Sequence, residues 1–250
     1  IGENAFRSCS KLTSISIPGT VTRIEDKAFY GCTGLTSLNV PDNVTSIGKY
    51  AFYACVKISD VQLGKGLKSI GDWAFNTCVN ISSVTIPDNV TSIGDRAFFG
   101  CIKLDNITLG KGLTTIGDSA FRDCARLKGT LIIPDNVIRI GDYAFYRCVS
   151  LTGLNISEGL TSIGNQVFYR CSKLTDVVIP KSVTSIGNYA FYRCASLESV
   201  TFEGDAPKVG SALFLNVAEK ASVYRNLNAA GFDDKLGGLP VFVGRARMEN

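Results

Sequence analysis

The sequence predicts a solenoid, a β-rich stack of short repeats in which each copy adds one parallel strand and one short helical turn. Three observations predict it. The nine cysteines fall at Cys9, Cys32, Cys55, Cys78, Cys101, Cys124, Cys148, Cys171 and Cys194, every interval being 23 residues except one of 24. An isoleucine keeps the same beat from Ile1, Ile24 and Ile47 to Ile186. A phenylalanine follows it five residues later, from Phe6 to Phe191, preceded by alanine in every copy except at Val167. A fixed period of roughly 20–50 residues marks repeats that must stack, because one copy cannot bury its own apolar side.

Within each repeat the elements follow in order. Asp26, Asp72, Asp95, Asp118 and Asp142 stand two residues after the isoleucine, with Asn165 and Asn188 in the same column. Side chains of this type cap helix N-termini, so the segment carrying Ala, Phe and Cys inward is predicted as one short helical turn. After the cysteine come apolar trios such as Leu12, Ile15 and Ile17, or Leu35, Leu38 and Val40. The last two of each trio alternate with a polar residue, as a half-buried strand requires. Strands spaced about 4.8 Å apart stack into one ladder. A Pro-x-Asn or Gly-x-Gly turn follows, then a second extended piece such as Val44 to Ile47.

Nine copies cover residues 1 to about 208, and a tenth opens at Val209 with Gly210, Phe214 and Val217 in the place of cysteine. The reading is a solenoid over residues 1–217 and a C-terminal cap over 218–250, since the open apolar end of a solenoid needs a cover. In that tail Ala221 to Arg225 and Leu239 to Gly244 read as strands, and Asn226 to Phe232 as a short helix. The single 24-residue interval adds a residue near Gly129, which predicts a bulge placing Leu131 or Ile132 where neighbouring rungs carry polar residues. The chain opens in mid-pattern at Ile1 with no visible signal peptide, which predicts an upstream segment or an exposed first rung.

The pattern L-x-x-I-x-I-P-x-x-V-T-S-I-G-x-x-A-F-x-x-C resembles the BspA-like leucine-rich repeats of bacterial surface proteins, over about 210 of the 250 residues. The resemblance implies a leucine-rich repeat solenoid, right-handed, with its parallel sheet on the concave side. It also implies export and display at the cell surface, with adhesion to host proteins or other cells. It carries over no catalytic or binding positions, because the family is defined by scaffold residues.

Composition narrows the function. Apolar residues make up 45% and charged residues 19%, enough for a packed core, and the net charge is +4. No Lys/Arg run points to nucleic acid, and no apolar run of about 18 residues points to a membrane span. Histidine is absent, which removes the commonest general base and metal ligand. GxSxG, HExxH and GxGxxG motifs do not occur. A carboxylate pair, Asp60 and Asp105, lies two repeats apart without a pocket-forming composition around it, so neither enzyme activity nor a cofactor is expected.

Stacked cysteines in a parallel ladder suit neither disulfide geometry nor a zinc cluster, so they read as reduced core thiols. Calcium needs six to eight oxygens, more than one aspartate per rung supplies. The turn residues Asp42, Lys65, Asp88, Lys111 and Asp135 alternate in sign before Glu158 and Lys181, which reads as a solubility and register device.

Two surfaces are candidates for binding. Outward strand residues, among them Asn39, Asp60, Gln62, Asn106, Asn155 and Asp176, make a small, polar face nearly free of aromatic rings. On the opposite side stand Tyr146 and Arg147, Tyr169 and Arg170, and Tyr192 and Arg193, a Tyr-Arg stripe confined to the C-terminal half. Stacked arginines repel unless an anion or an acidic partner lies near. The expected function is a non-catalytic, surface-displayed protein-recognition or adhesion module for a protein or cell-surface ligand, either a host matrix protein or another bacterial surface component. The alternative is a structural spacer presenting other domains. A spacer predicts uniform exposed columns, and these columns vary.

Overall fold

Two parallel strands per coil build the structure. The computed structural model describes residues 1–244. The second extended piece of each repeat forms a two-residue strand. Arg23–Ile24, Ser46–Ile47, Ser69–Ile70, Ser92–Ile93, Thr115–Ile116 and Arg139–Ile140 align as one six-stranded sheet. Ser162–Ile163, Ser185–Ile186 and Lys208–Val209 form a further three-stranded one.

The strand after each cysteine forms the main sheet face. Ser37–Asn39 pairs with Asp60–Gln62, and Ser83–Thr85 with Asn106–Thr108. From Gly129–Ile132 onward a seven-stranded sheet runs through Leu151–Asn155, Asp176–Ile179, Ser199–Phe202 and Ser222–Arg225. Registers such as Ser37↔Asp60 and Leu38↔Val61 are one period apart, so every sequence column becomes a spatial column. The first repeat departs from the one-strand-per-copy expectation: Ser14 to Ile17 forms no strand. As the outermost described coil it has a neighbour on one side only.

The core is made of these columns. Phe29, Phe52, Phe75, Phe98, Phe121, Phe145, Phe168 and Phe191 are fully buried. Their rings stack from coil to coil, with centroids 5.1 Å apart between Phe29 and Phe52 and 5.4 Å apart between Phe168 and Phe191. All nine cysteines are free thiols, and eight are buried; Cys9, on the first coil, is exposed. Each buried thiol donates to a phenylalanine carbonyl of the preceding coil, as Cys55 Sγ does to Phe29 O at 3.1 Å and Cys78 Sγ to Phe52 O at 3.1 Å.

The predicted helical turn is corrected. The Asp-to-Cys segment contains no helix; it is a series of tight turns. Backbone donors alternate along it. Ala28, Tyr30 and Cys32 donate three residues back within their own coil, while Lys27, Phe29 and Gly31 donate to Lys49, Ala51 and Tyr53 of the next. A helix would use every N–H inside the segment, whereas here alternate N–H groups bind the neighbouring coil. Two residues per coil adopt left-handed backbone, for example Tyr143 at φ 61° and Arg147 at φ 59°, and these also forbid a right-handed helix.

The aspartate column therefore does not cap helices. Its side chains accept from the backbone of the following coil instead. Asp95 N donates to Asp72 Oδ1 at 3.0 Å, Asp118 N to Asp95 Oδ1 at 2.7 Å and Asn165 N to Asp142 Oδ1 at 2.7 Å. Asn188 N donates in turn to Asn165 Oδ1 at 2.9 Å.

The extra residue near Gly129 makes the expected bulge. Pairing with the next strand slips between Gly129 and Thr130, and Gly129 sits at φ 77°, a conformation glycine adopts freely. The slip keeps Leu131 in the core at 3% exposure and turns Ile132 outward at 61%. Beyond the repeats, Ser222–Arg225 continues the sheet in parallel, and Leu239–Val243 pairs with it in parallel before closing on Lys235–Leu236 in antiparallel fashion. The helix expected over Asn226 to Phe232 is absent. That stretch is a loop held by the Arg225 guanidinium, which donates to the carbonyls of Asn226, Leu227 and Ala229. Residues 245–250 of the expected cap lie outside the described residues.

Candidate partner-binding surfaces

On the turn side, the tight turns hold equivalent side chains one coil apart. Tyr146, Tyr169 and Tyr192 therefore stack, with ring centroids 4.6 and 4.9 Å apart. Tyr143 and Tyr189 flank the stack with tilted and edge contacts at 5.9 and 5.6 Å. A second aromatic group, Tyr30 with Tyr53 and Tyr50 with Trp73, occupies the N-terminal coils.

Arg122 fills the column position between Phe99 and Tyr146. Its guanidinium carbon lies 4.4 Å from the Tyr146 ring centre and 5.7 Å from that of Phe99. The ring faces supply the attraction that an aromatic neighbour would otherwise have supplied by stacking. Sequence reading found the aromatic column but missed Arg122 within it. The signal was its position directly after Phe121.

The three arginines of the stripe are not equivalent. Arg147 meets Asp123, Nε to Oδ1 at 3.4 Å, and Asp123 also approaches Arg122 at 3.5 Å. Arg170 and Arg193 lie over the faces of Tyr169 and Tyr192, at 5.9 and 5.4 Å. Among the described residues neither has a carboxylate within salt-bridge distance. Between them a shallow groove of about 410 Å³ is lined by Val149, Ser172, Ala195 and Asn216 as well as the two arginines. The expected repulsion is thus relieved at one end by Asp123 and left open at the other.

On the sheet side, Asn39, Asp60, Gln62, Asn106, Asn155 and Asp176 are all exposed and point away from the core. Asn39 sits beside Gln62 in register, and Asp60 beside Ser37. A groove of about 580 Å³ crosses Gln62, Thr85 and Thr108 and reaches the turn residues Lys65 and Asp88. Asp176 accepts from the Ser199 hydroxyl. Asp105 stands just before its strand and is tied to Arg126 at 2.8 Å and Lys128 at 3.4 Å. Desolvation raises its carboxyl, but these two cations outweigh it and hold the group below its ordinary value, so it stays ionised. Such a carboxylate is a poor proton donor for the imagined Asp60–Asp105 pair.

The face is less polar than its sequence columns suggest. In the C-terminal half, Ile132, Asn155, Val178, Thr201, Tyr224 and Phe242 fall in one register column. Ile132, Val178 and Phe242 are exposed at 61%, 43% and 50%. Reading the repeats could not find the last two rungs, because Tyr224 and Phe242 lie where the period has ended.

The alternating turns are also reinterpreted. No ion pair joins Asp42, Lys65, Asp88 and Lys111 among the described residues. Instead Asp42 Oδ1 accepts from Lys65 N at 2.7 Å and Asp88 Oδ1 from Lys111 N at 2.9 Å. Asn89 and Asn136 reach back to the carbonyls of Lys65 and Lys111 at 2.7 and 2.8 Å. A Cβ on Gly66 or Gly112 would collide with the Asp42 or Asp88 carbonyl. Pro-Asp-Asn and Gly-Lys-Gly turns alternate because one turn nests into the backbone of the other, and this nesting accounts for the aspartates and glycines of the pattern.

Among the described residues no group of three His, Cys, Asp or Glu side chains is arranged to hold a metal ion, and no helix is long and apolar enough to cross a membrane.

Comparison with known proteins places this architecture. A leucine-rich repeat protein from Bacteroides ovatus superposes with a TM-score of 0.80 at 34% identity, covering 90% of this chain and 58% of that one. This chain therefore spans less than two thirds of that relative's length. A leucine-rich repeat protein from Eubacterium ventriosum gives a TM-score of 0.53 at 18% identity, over 90% of this chain and 87% of that one. The pneumococcal vaccine antigen PcpA gives 0.51 at 19%, over 82% and 60%. At that identity the two share the fold. No curated protein matches the sequence. The profile of the BspA type leucine rich repeat region matches residues 1–128 and 129–228, and the chain belongs to that family.

Proposed function

We propose that this chain is a non-catalytic protein-recognition module, displayed at the cell surface and acting in adhesion. Its primary contact is the stripe formed by Tyr146, Arg147, Tyr169, Arg170, Tyr192 and Arg193. One observation carries the reading: Arg170 and Arg193 are held over tyrosine rings with no carboxylate partner among the described residues. Tyrosine and arginine dominate the energetics of protein interfaces, and a guanidinium held on a ring loses little freedom on binding. The partner is an acidic surface on a host matrix protein or on another bacterial surface component. The polar sheet residues Asn39, Asp60, Gln62, Asn106, Asn155 and Asp176 lie on the opposite side and form a separate candidate surface, outside the contact with this acidic partner. Display at the surface is supported by membership in a family of bacterial surface repeats.

In the same reading, residues 1–217 are the recognition solenoid and 218–250 its cap. Support comes from the burial of Leu236 and the packing of Phe232 on Phe202 at 5.6 Å.

The test is a binding panel of immobilised host matrix proteins and bacterial surface polymers, probed with the wild type and with the variant Arg147→Ala, Arg170→Ala, Arg193→Ala. At least one partner should bind, weaken with added salt and lose tenfold or more with the triple variant. No partner across the panel favours the spacer role, and undiminished binding by the variant removes the stripe.

A further inference from the structure

Two departures from the repeat pattern coincide on the sheet side of the C-terminal half. The first is the apolar column. In the N-terminal coils this register position holds Asn39, Gln62, Thr85 and Thr108, all polar. From Gly129 onward apolar side chains enter it: Ile132 and Val178, interleaved with Asn155 and Thr201, and in the last two rungs Tyr224 and Phe242, whose ring centroids lie 6.0 Å apart. The bulge at Gly129 points Ile132 outward while Leu131 stays in the core. A scaffold gains nothing from an isoleucine left 61% exposed in a column that accepts threonine elsewhere.

The second departure is in charge. The turn row beside this column alternates Asp42, Lys65, Asp88 and Lys111, then breaks to the neighbouring acids Asp135 and Glu158. Glu203 adds a third carboxylate, against the single ammonium of Lys181. Asp135, Glu158 and Glu203 line one groove of about 360 Å³ together with Asn155, Val178 and Pro180. None of these three carboxylates has a salt-bridge partner among the described residues. Arg225, paired in register with Phe202 next to Glu203, is committed to the carbonyls of its own loop.

We infer that this face is a second docking surface, for a partner protein segment that carries apolar side chains together with lysine or arginine. The apolar column supplies desolvation area and the acid-biased rim selects a basic segment, suppressing acidic ones by like-charge repulsion. It lies apart from the Tyr-Arg stripe and has the opposite charge preference, so the stripe's arginine variants leave it untouched.

The test uses two synthetic peptides of alternating composition, one of leucine and lysine and one of leucine and glutamate, titrated against the full chain by fluorescence anisotropy. The variants are Ile132→Thr with Val178→Thr, which install residues that other coils already carry at this position, and Glu158→Lys. The expected result is binding of the lysine peptide, weakened tenfold or more by either variant, and no binding of the glutamate peptide. Equal binding of both peptides, or lysine-peptide binding unchanged in the variants, overturns the inference. Light scattering provides a separate arm: a concentration-dependent dimer abolished by Ile132→Thr and Val178→Thr would assign the face to a second copy of this chain and overturn it as well. Circular dichroism matching the wild type certifies that the variants are folded.

Discussion

The Cys55 thiol donates to the Phe29 carbonyl at 3.1 Å, and that same carbonyl accepts the Cys32 backbone N–H at 3.1 Å. Each core cysteine is thus a small apolar filler and also a clamp between coils, which a buried alanine could not be.

Burial is the main cause that pushes the Cys55 thiol from its ordinary 9.0 up to about 12, with the neighbouring Cys32 adding to it. Burial raises the Cys78, Cys101, Cys148 and Cys171 thiols in the same direction. In the unfolded chain these thiols ionise near 9. The folded state therefore holds more protons above that pH, and the stability they contribute is intact below pH 9 and lost as pH rises through 12. Denaturation followed by circular dichroism from pH 7 to 12 should show a steep alkaline loss. At pH 8 a thiol reagent should label Cys9 at once and the other eight only after denaturant is added. Rapid native labelling of several thiols would contradict the clamp.

Gly66 is required by packing and not by its backbone angle, since a Cβ there would strike the Asp42 carbonyl of the preceding coil. Gly66→Ala should cost about 1–3 kcal/mol in urea denaturation, as overpacking does. Gly2→Ala has open space around it and should change stability by less than about 0.5 kcal/mol. Equal effects at the two sites would undo the nesting of alternate turns.

The aspartate ladder can be tested by conservative rescue. Asp95→Ala removes the acceptor of the Asp118 N–H and should cost about 1 kcal/mol. Asp95→Asn keeps an acceptor, as Asn165 and Asn188 do naturally, and should recover most of that loss. Failure of asparagine to rescue would mean that charge, and not the hydrogen bond, is the operative property.

Arg122 is wedged between rings, whereas Arg147 is half-exposed beside Asp123. Arg122→Ala should destabilise by about 1–2 kcal/mol through lost cation–π contact and stem packing, more than Arg147→Ala does. Thermal melts of the two variants side by side decide it.

The repeat columns made much of this molecule legible in advance. The period placed the phenylalanine ladder, the buried thiols, both strands of each coil and the bulge at Gly129. The Tyr-Arg stripe was visible because its residues lie inside the period. Three features were not. The turn segment looks helical in sequence, but stacking lets alternate N–H groups reach the next coil, and left-handed residues such as Tyr143 and Arg147 complete that geometry. The aspartates look like caps until a following coil offers them a backbone donor. Tyr224 and Phe242 look like unrelated tail residues until strand pairing aligns them with Val178.

By itself the sequence determined that this protein is a stack, because a side chain repeated every 23 residues can be buried only against its own copy in the next coil. Only the tertiary structure decided how the backbone divides its hydrogen bonds within and between coils, and which face the non-repeating residues extend. Both depend on a neighbour whose position no local pattern encodes, so they follow from stacking and not from composition.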